Sequence, residues 1–169
     1  YHHLFAELLR QKLRHGQPGV VPELHQRASL WFEQEAMSSD AIRHALAARA
    51  FGRAAELAEA AWPDWDGGHR SLQWLDWVKA LPLDILQSRP LLCVHCAQAH
   101  LNGGQLEAAE ARLQDAERWL AHASETPAPG TSEPTRADDA AYPALPAHLA
   151  MTRAYLAQAR GDAAATMRC

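Results

Sequence analysis

The residues best suited to chemistry lie in the CVHC motif at residues 93–96 and at His100. On a helix, Cys93, Cys96 and His100 fall at positions i, i+3 and i+7 and share one face, as a metal site or a reactive thiol would require. A structural zinc site needs four ligands, usually including a second CxxC or a histidine pair, and neither has suitable spacing here. Ala97 stands where a haem attachment motif requires histidine. The sequence therefore favours two small cysteines packed between helices over a metal-dependent or thiol enzyme.

Other catalytic and cofactor-binding patterns are missing from the sequence. Its ten histidines are scattered, and none belongs to an HExxH motif. No serine stands in a nucleophile-elbow setting, and Gly103-Gly104 lacks the lysine and the preceding strand of a phosphate-binding loop. We therefore predict that the chain is not an enzyme and that it has no catalytic, cofactor-binding or metal-binding residues.

Six tryptophans are many for a chain of 169 residues, and three of them cluster around a glycine-rich turn. The favoured interpretation is that Trp65, Trp74 and Trp77 pack between helical repeats. The alternative is that they are partly exposed and form a contact patch for a partner or ligand, which makes them the candidate site residues. The remaining tryptophans lie on apolar helical stripes and are predicted to be buried: Trp31, Trp62 and Trp119.

The composition argues against two classes of partner. A formal net charge of −4 leaves no basic field for nucleic acid, so we expect no nucleic-acid contacts from these residues. No apolar run approaches the ~20 residues that span a bilayer, so no membrane contact is expected. Three cysteines suit a reducing compartment, which predicts a cytoplasmic location. Because the chain starts at Tyr1 and stops at Cys169 within a helical pattern, we expect it to be a fragment of a longer protein.

Helical periodicity runs along the chain without competing strand-like alternation. Its clearest unit is an αα-hairpin at residues 90–120, in which a glycine-containing break at 102–104 separates two apolar-faced helices. From 124 to 143 the composition shifts to Pro, Thr, Ser, Asp and Gly, which predicts a disordered insertion. Without it, the spacing from Gly104 to Gly161 is near the ~34 residues of a tetratricopeptide repeat. The predicted fold is all-α, with antiparallel helix pairs stacked as a tetratricopeptide-like α-solenoid.

Six segments of the chain share their order and sequence character with one known family. They are residues 1–10 (YHHLFAELLR), 25–31 (HQRASLW), 41–48 (AIRHALAA), 77–82 (WVKALP), 89–92 (RPLL) and 104–109 (GQLEAA). These segments resemble the ATP-dependent LuxR-family transcriptional regulators of the MalT-like group, a class of signal-transduction ATPases. The resemblance implies that residues 1–68 form a helical linker after a winged-helix domain. Residues 69–169, with the insertion, would begin a tetratricopeptide-like sensor region.

The resemblance also implies a function. The parent protein would bind ATP before residue 1 and DNA beyond residue 169, so neither ligand is assigned to this chain. The chain itself would be a non-catalytic linker and sensor segment. Its partners would be other domains of the parent protein and a small-molecule effector or regulatory protein, whose binding shifts a closed state towards an open, self-associating one. The alternative, of a different class, is a stand-alone tetratricopeptide-like adaptor that binds a protein partner.

Overall fold

The computed structural model describes residues 19–125 and 144–161, and in these two ranges it contains helices and no strand. The all-α prediction is therefore confirmed for the described residues. The helices there are α1 (Val20–Gln34), α2 (Ser38–Ala47), α3 (Phe51–Trp65), α4 (Gly68–Val78), α5 (Leu83–Gln87), α6 (Pro90–Asn102), α7 (Leu106–Glu125) and α8 (Leu145–Ala159). The predicted insertion at 124–143 lies outside the described residues from 126 onwards, and its first two positions belong to α7.

The chain divides into two compact units, Tyr1–Leu57 and Ala58–Cys169, and the boundary falls within α3. The predicted division after residue 68 stays a prediction. Among the described residues, no helix has both the length and the apolar character needed to cross a bilayer.

The first unit is organised by the packing of α1 against α2. Ser29 is fully buried on α1, and its hydroxyl donates a hydrogen bond of 2.9 Å to the carbonyl of Ala41. Arg53 reaches the same hydroxyl from α3 at 3.2 Å and pairs with Glu33 at 2.6 Å. The predicted burial of Trp31 is wrong, because its side chain is 53% exposed. Two residues beyond Ser29, it lies about 200° round the helix from the buried face.

In the part of the first unit that the structure describes, α1 and α2 both end without glycine. Ala36 and Arg49 follow α1 and α2 in the left-handed region, with φ of 56° and 58°. At each end, the next residue's N–H reaches back into the last turn: Met37 donates to the Phe32 carbonyl and Ala50 to the Ala45 carbonyl. This is the Schellman arrangement, which glycine usually occupies because a side chain is strained at positive φ.

Helix α6 is the centre of the second unit, where α4, α5, α7 and α8 all contact it. Its buried residues extend round the helix rather than along the single stripe that the sequence predicted. They are Pro90, Leu92, Cys93, Val94, His95, Cys96, Ala97 and Ala99. A helix that is apolar on every side is stable only when neighbouring elements surround it. At its end, a Cβ on Gly103 would stand 2.8 Å from a Leu72 methyl carbon, so glycine permits the close approach to α4.

An ionic cluster joins α8 to α7. Arg153 on α8 donates to Glu117 through Nε and Nη2 at 2.7 and 2.6 Å, and it also pairs with Glu110. Arg160 adds a second contact to Glu110 at 2.8 Å. The pKa of Arg153 is raised above its usual value, and the largest cause is the pair of hydrogen bonds that Arg153 donates to Glu117. These pairs fix the orientation of α8 outside the apolar core formed by Leu145, Leu149 and Leu156.

Candidate functional site

The predicted tryptophan patch is only partly present at the surface. Trp65, at the end of α3, and Trp77, in α4, are half-buried, and their rings meet edge to face with centroids 4.7 Å apart. The guanidinium of exposed Arg70 lies 4.9 Å from the Trp65 ring centre, within the range of a cation–π contact. Trp74 is not part of a surface patch, because its side chain is 0% exposed, as the packing interpretation predicts.

Trp74 belongs instead to a buried aromatic cluster. It lies on the inner face of α4, and its indole N–H donates a 2.9 Å hydrogen bond to the Ala58 carbonyl. Trp62 packs edge-on against it at 4.7 Å and stacks on His95 at 5.1 Å. The prediction that Trp62 is buried is confirmed, whereas Trp119 is half-buried. The cluster therefore consists of Trp62, Trp74 and His95, and it stabilises the unit by burying large rings.

Burial keeps His95 neutral. The side chain is 8% exposed, and burial, with a smaller effect of the nearby His148 charge, lowers the His95 pKa from 6.5 to about 3. At neutral pH the ring is uncharged, and it contacts the indoles of Trp62 and Trp74. This histidine is a packing residue with a polar edge.

The two thiols of the CVHC motif are also held in their protonated, less reactive form. Burial raises the pKa of Cys93 to about 12, and it raises that of Cys96 well above 9.0. The Cys93 thiol donates to the Leu86 carbonyl at 3.2 Å. The reactive species of cysteine is the thiolate, which these shifts suppress. Within residues 19–125 and 144–161, no three His, Cys, Asp or Glu side chains are grouped so that they could hold a metal ion.

A groove of about 340 Å³ lies where α4, α5, α6 and α7 meet. Its walls are mainly apolar, and the residues that form them come from four helices. They are Leu75 and Val78 of α4, Leu86 of α5, Cys96 of α6, and Ala108 and Ala111 of α7. The short alanine side chains of α7 leave the space that a leucine at either position would fill.

Three basic side chains also line this groove: Lys79, His100 and Arg112. Burial lowers the pKa of His100, and the positive charges of Lys79 and Arg112 lower it further, against a hydrogen bond with Gln105. The positive charges of Lys79 and Arg112 are therefore both close enough to His100 to lower its pKa. The groove combines an apolar wall with Arg112 and with Lys79, which pairs with Asp76 at 3.3 Å, and no carboxylate is among its lining residues.

Arg112 shares its carboxylate partner with a second arginine. Its Nη1 lies 2.9 Å from Oδ2 of Asp115, whose Oδ1 pairs with Arg118 and accepts a 3.2 Å hydrogen bond from Gln87. The Asp115 side chain is buried, whereas that of Arg118 is mostly exposed. One buried negative charge thus faces two guanidinium groups, which leaves a net positive charge beside the groove.

The sequence gives little warning of this groove. Lys79 and Arg112 are 33 positions apart and belong to no motif, so only the packing of both α4 and α7 on α6 brings them to one groove. The available signal is the set of short side chains at Ala108, Ala109 and Ala111, which favours close helix packing in the hairpin. Short side chains predict a contact between two helices, but they do not predict a groove formed by residues from four helices.

The chain is similar to part of a much larger protein. It is 34% identical over 101 residues to the serine/threonine-protein kinase PknK of Mycobacterium tuberculosis strain H37Rv. The same identity and length are found for PknK of M. tuberculosis strain CDC 1551 and of Mycobacterium bovis. The match covers 60% of this chain, which spans only 9% of the length of these curated relatives. No protein-family model matches the chain, and no solved structure matches it.

These comparisons correct the family expected from the sequence. The resemblance to MalT-like LuxR-family regulators is wrong as an identification, because the relatives found are serine/threonine-protein kinases and no family model supports it. The six segments that carried the resemblance consist mostly of alanine, leucine and other helix-forming residues. Such patterns recur wherever amphipathic helices pack, so they indicate helical packing more strongly than ancestry.

Proposed function

We propose that the chain is a non-catalytic helical interaction segment of a larger signalling protein of the serine/threonine-kinase type. In this role it contacts other domains of the same protein or a regulatory partner, and the phosphotransfer chemistry resides elsewhere. The support from the comparisons is that the chain matches a small part of kinases many times its length. The reducing compartment that suits its thiols would be the cytoplasm.

The observation that carries this proposal is the Trp65–Trp77 pair with Arg70 beside it. Tryptophan and arginine are the residues most enriched among those that dominate the binding energy of protein interfaces. Here the two rings are half-buried and held by contact with each other, so little side-chain freedom remains to be lost on binding. We assign this surface, formed by Trp65, Arg70 and Trp77, to the partner contact.

The finer architecture in the proposal is a tetratricopeptide-like α-solenoid formed by the second unit. The α6–α7 hairpin supports it, because α8 packs on both of these helices as the first helix of a following repeat would. The stand-alone tetratricopeptide-like adaptor remains the alternative, and the length of the parent gene separates the two. A kinase region encoded in the same gene favours the interaction segment.

Cross-linking of the intact protein tests the partner contact. Gln73 is exposed one turn before Trp77, on the face of α4 that also carries Arg70, so Gln73→Lys places an amine-reactive group on this surface. We expect its cross-links to another domain or to a regulatory partner to be lost when Trp77→Ala is added. Trp31→Ala, at an exposed tryptophan outside this surface, is the matched control and should keep them. Equal cross-linking after both changes, or none in Gln73→Lys alone, would contradict the proposal.

A further inference from the structure

We propose that the groove between α4, α5, α6 and α7 binds a small amphipathic carboxylate, with its hydrocarbon part on the apolar walls and its carboxylate beside Lys79 and Arg112. This deepens the proposed function by naming the chemistry of a small-molecule effector. It rests on that function only for its regulatory consequence, because the binding itself is measured on this chain alone.

The size of the groove sets the size of the ligand. Its volume of about 340 Å³ is at the lower end of the range of small-molecule sites. At the ~30 Å³ that one water molecule occupies in the liquid, it accommodates about ten non-hydrogen atoms. A helix or an extended peptide needs a longer site, so the volume favours a small molecule over a protein segment.

The walls determine the ligand's body. Leu75, Val78 and Leu86 present hydrocarbon from two helices, and the alanines of α7 leave room opposite them. Transfer of an aliphatic chain from water onto such a surface is favourable in proportion to the apolar area covered. A sugar or another highly hydroxylated molecule would lose its hydrogen bonds with water there without replacement.

The charges determine the ligand's head group. Lys79 and Arg112 line the groove, and no carboxylate is among its lining residues. Asp76 pairs with Lys79 at 3.3 Å, and Asp115 is shared by Arg112 and Arg118. Three cations therefore face two carboxylates, which leaves one positive charge for an anion. A guanidinium can also donate two parallel hydrogen bonds to one carboxylate, which a spherical cation cannot. An amine of the same length would meet repulsion at this position.

The test uses the 169-residue chain and octanoate, which has about ten non-hydrogen atoms. Titration calorimetry should detect saturable binding below about 10 mM, with octan-1-ol weaker and octylammonium weakest. Equal binding of octylammonium and octanoate would overturn the assignment of charge. Absence of octanoate binding over this range would overturn the proposal.

Two arginines offer a matched pair of variants. Arg112→Gln and Arg118→Gln each remove one ion pair from the same carboxylate, but only Arg112 lines the groove. We expect Arg112→Gln to weaken octanoate binding about tenfold and Arg118→Gln to change it less than about twofold. An equal loss in both variants would show an indirect effect through Asp115 and would contradict the proposal.

A second pair tests the space itself. Ala111→Leu fills the groove, whereas Ala121→Leu adds the same side chain at an exposed position of the same helix. Binding should be lost in the first and retained in the second, with circular dichroism confirming that both are helical. If Ala111→Leu instead changes the sedimentation of the chain, the occupant is a second copy and the small-molecule assignment is wrong. Cross-linking at position 73 in the intact protein is a separate readout, because Gln73 does not line the groove. The proposed function can therefore fail without this site failing, or the reverse.

Discussion

The buried aromatic cluster of Trp62, Trp74 and His95 and the open groove lie in the same unit and both use α6, yet their polar groups are in opposite states. In the cluster, the indole N–H of Trp74 is paired with a carbonyl and His95 is held neutral. In the groove, Lys79 and Arg112 keep their charges beside an apolar wall. Residue type alone therefore does not identify which side chains are available to a ligand in this protein. The burial of each side chain decides whether it packs or binds.

The largest expected effect is on the stability of the cluster. Trp74→Ala should lower the free energy of unfolding by about 3–5 kcal/mol, because it opens a cavity and leaves the Ala58 carbonyl without its donor. Trp31→Ala, at an exposed tryptophan, should cost less than about 1 kcal/mol. Urea unfolding followed by circular dichroism measures both. Similar losses in the two variants would remove the distinction between buried and exposed tryptophans.

The rate of thiol labelling tests whether Cys93 and Cys96 are accessible to solvent in the folded chain. With the Cys93 pKa raised from 9.0 to about 12, its thiolate fraction at neutral pH falls about a thousandfold. In a Cys169→Ser background, labelling of Cys93 and Cys96 should be at least that much slower in the folded chain than in urea. Rapid labelling of either thiol in the folded chain would revive the thiol-enzyme interpretation.

The pH dependence of stability tests the neutral state of His95. Because its folded pKa of about 3 lies below the ordinary 6.5, the unfolded chain takes up a proton that the folded chain excludes. Stability is therefore complete above about pH 6.5 and falls by about 1.4 kcal/mol for each pH unit below it, a loss of about 2 kcal/mol by about pH 5. His95→Phe should remove this part of the slope, whereas the exposed change His69→Gln should leave it. An unchanged slope in His95→Phe would contradict the burial argument.

The smallest expected effect concerns the helix ends of the first unit. Arg49→Gly should raise the free energy of unfolding by about 0.5–1 kcal/mol, because it relieves a non-glycine residue at φ 58°. Gly104→Ala, at the matching end of α6 with φ 70°, should lower it by about 1 kcal/mol. Thermal unfolding of the two variants measures both signs. The same sign in both would show that φ does not determine the effect.

These two helix ends also explain what the sequence could predict. The end of α6 was predictable because Gly104, at φ 70°, is the residue type that the left-handed backbone conformation favours. The ends of α1 and α2 adopt the same geometry at Ala36 and Arg49, which carry no such signal. The helical class follows from periodicity, but periodicity places Trp74 and Trp77 on neighbouring strips without saying which one faces the core. The groove depends on tertiary packing that brings Lys79 to Arg112.

The central claim is that this chain binds through its surface and performs no reaction at its cysteines. Its most direct test is the yield of cross-links from Gln73→Lys in the intact protein. The comparison is between Cys93→Ala/Cys96→Ala and Trp77→Ala, after circular dichroism has shown that both are folded. The account predicts that the variant without the two thiols keeps the cross-links of Gln73→Lys alone and that Trp77→Ala loses them. Loss in the thiol variant with retention in Trp77→Ala would contradict it.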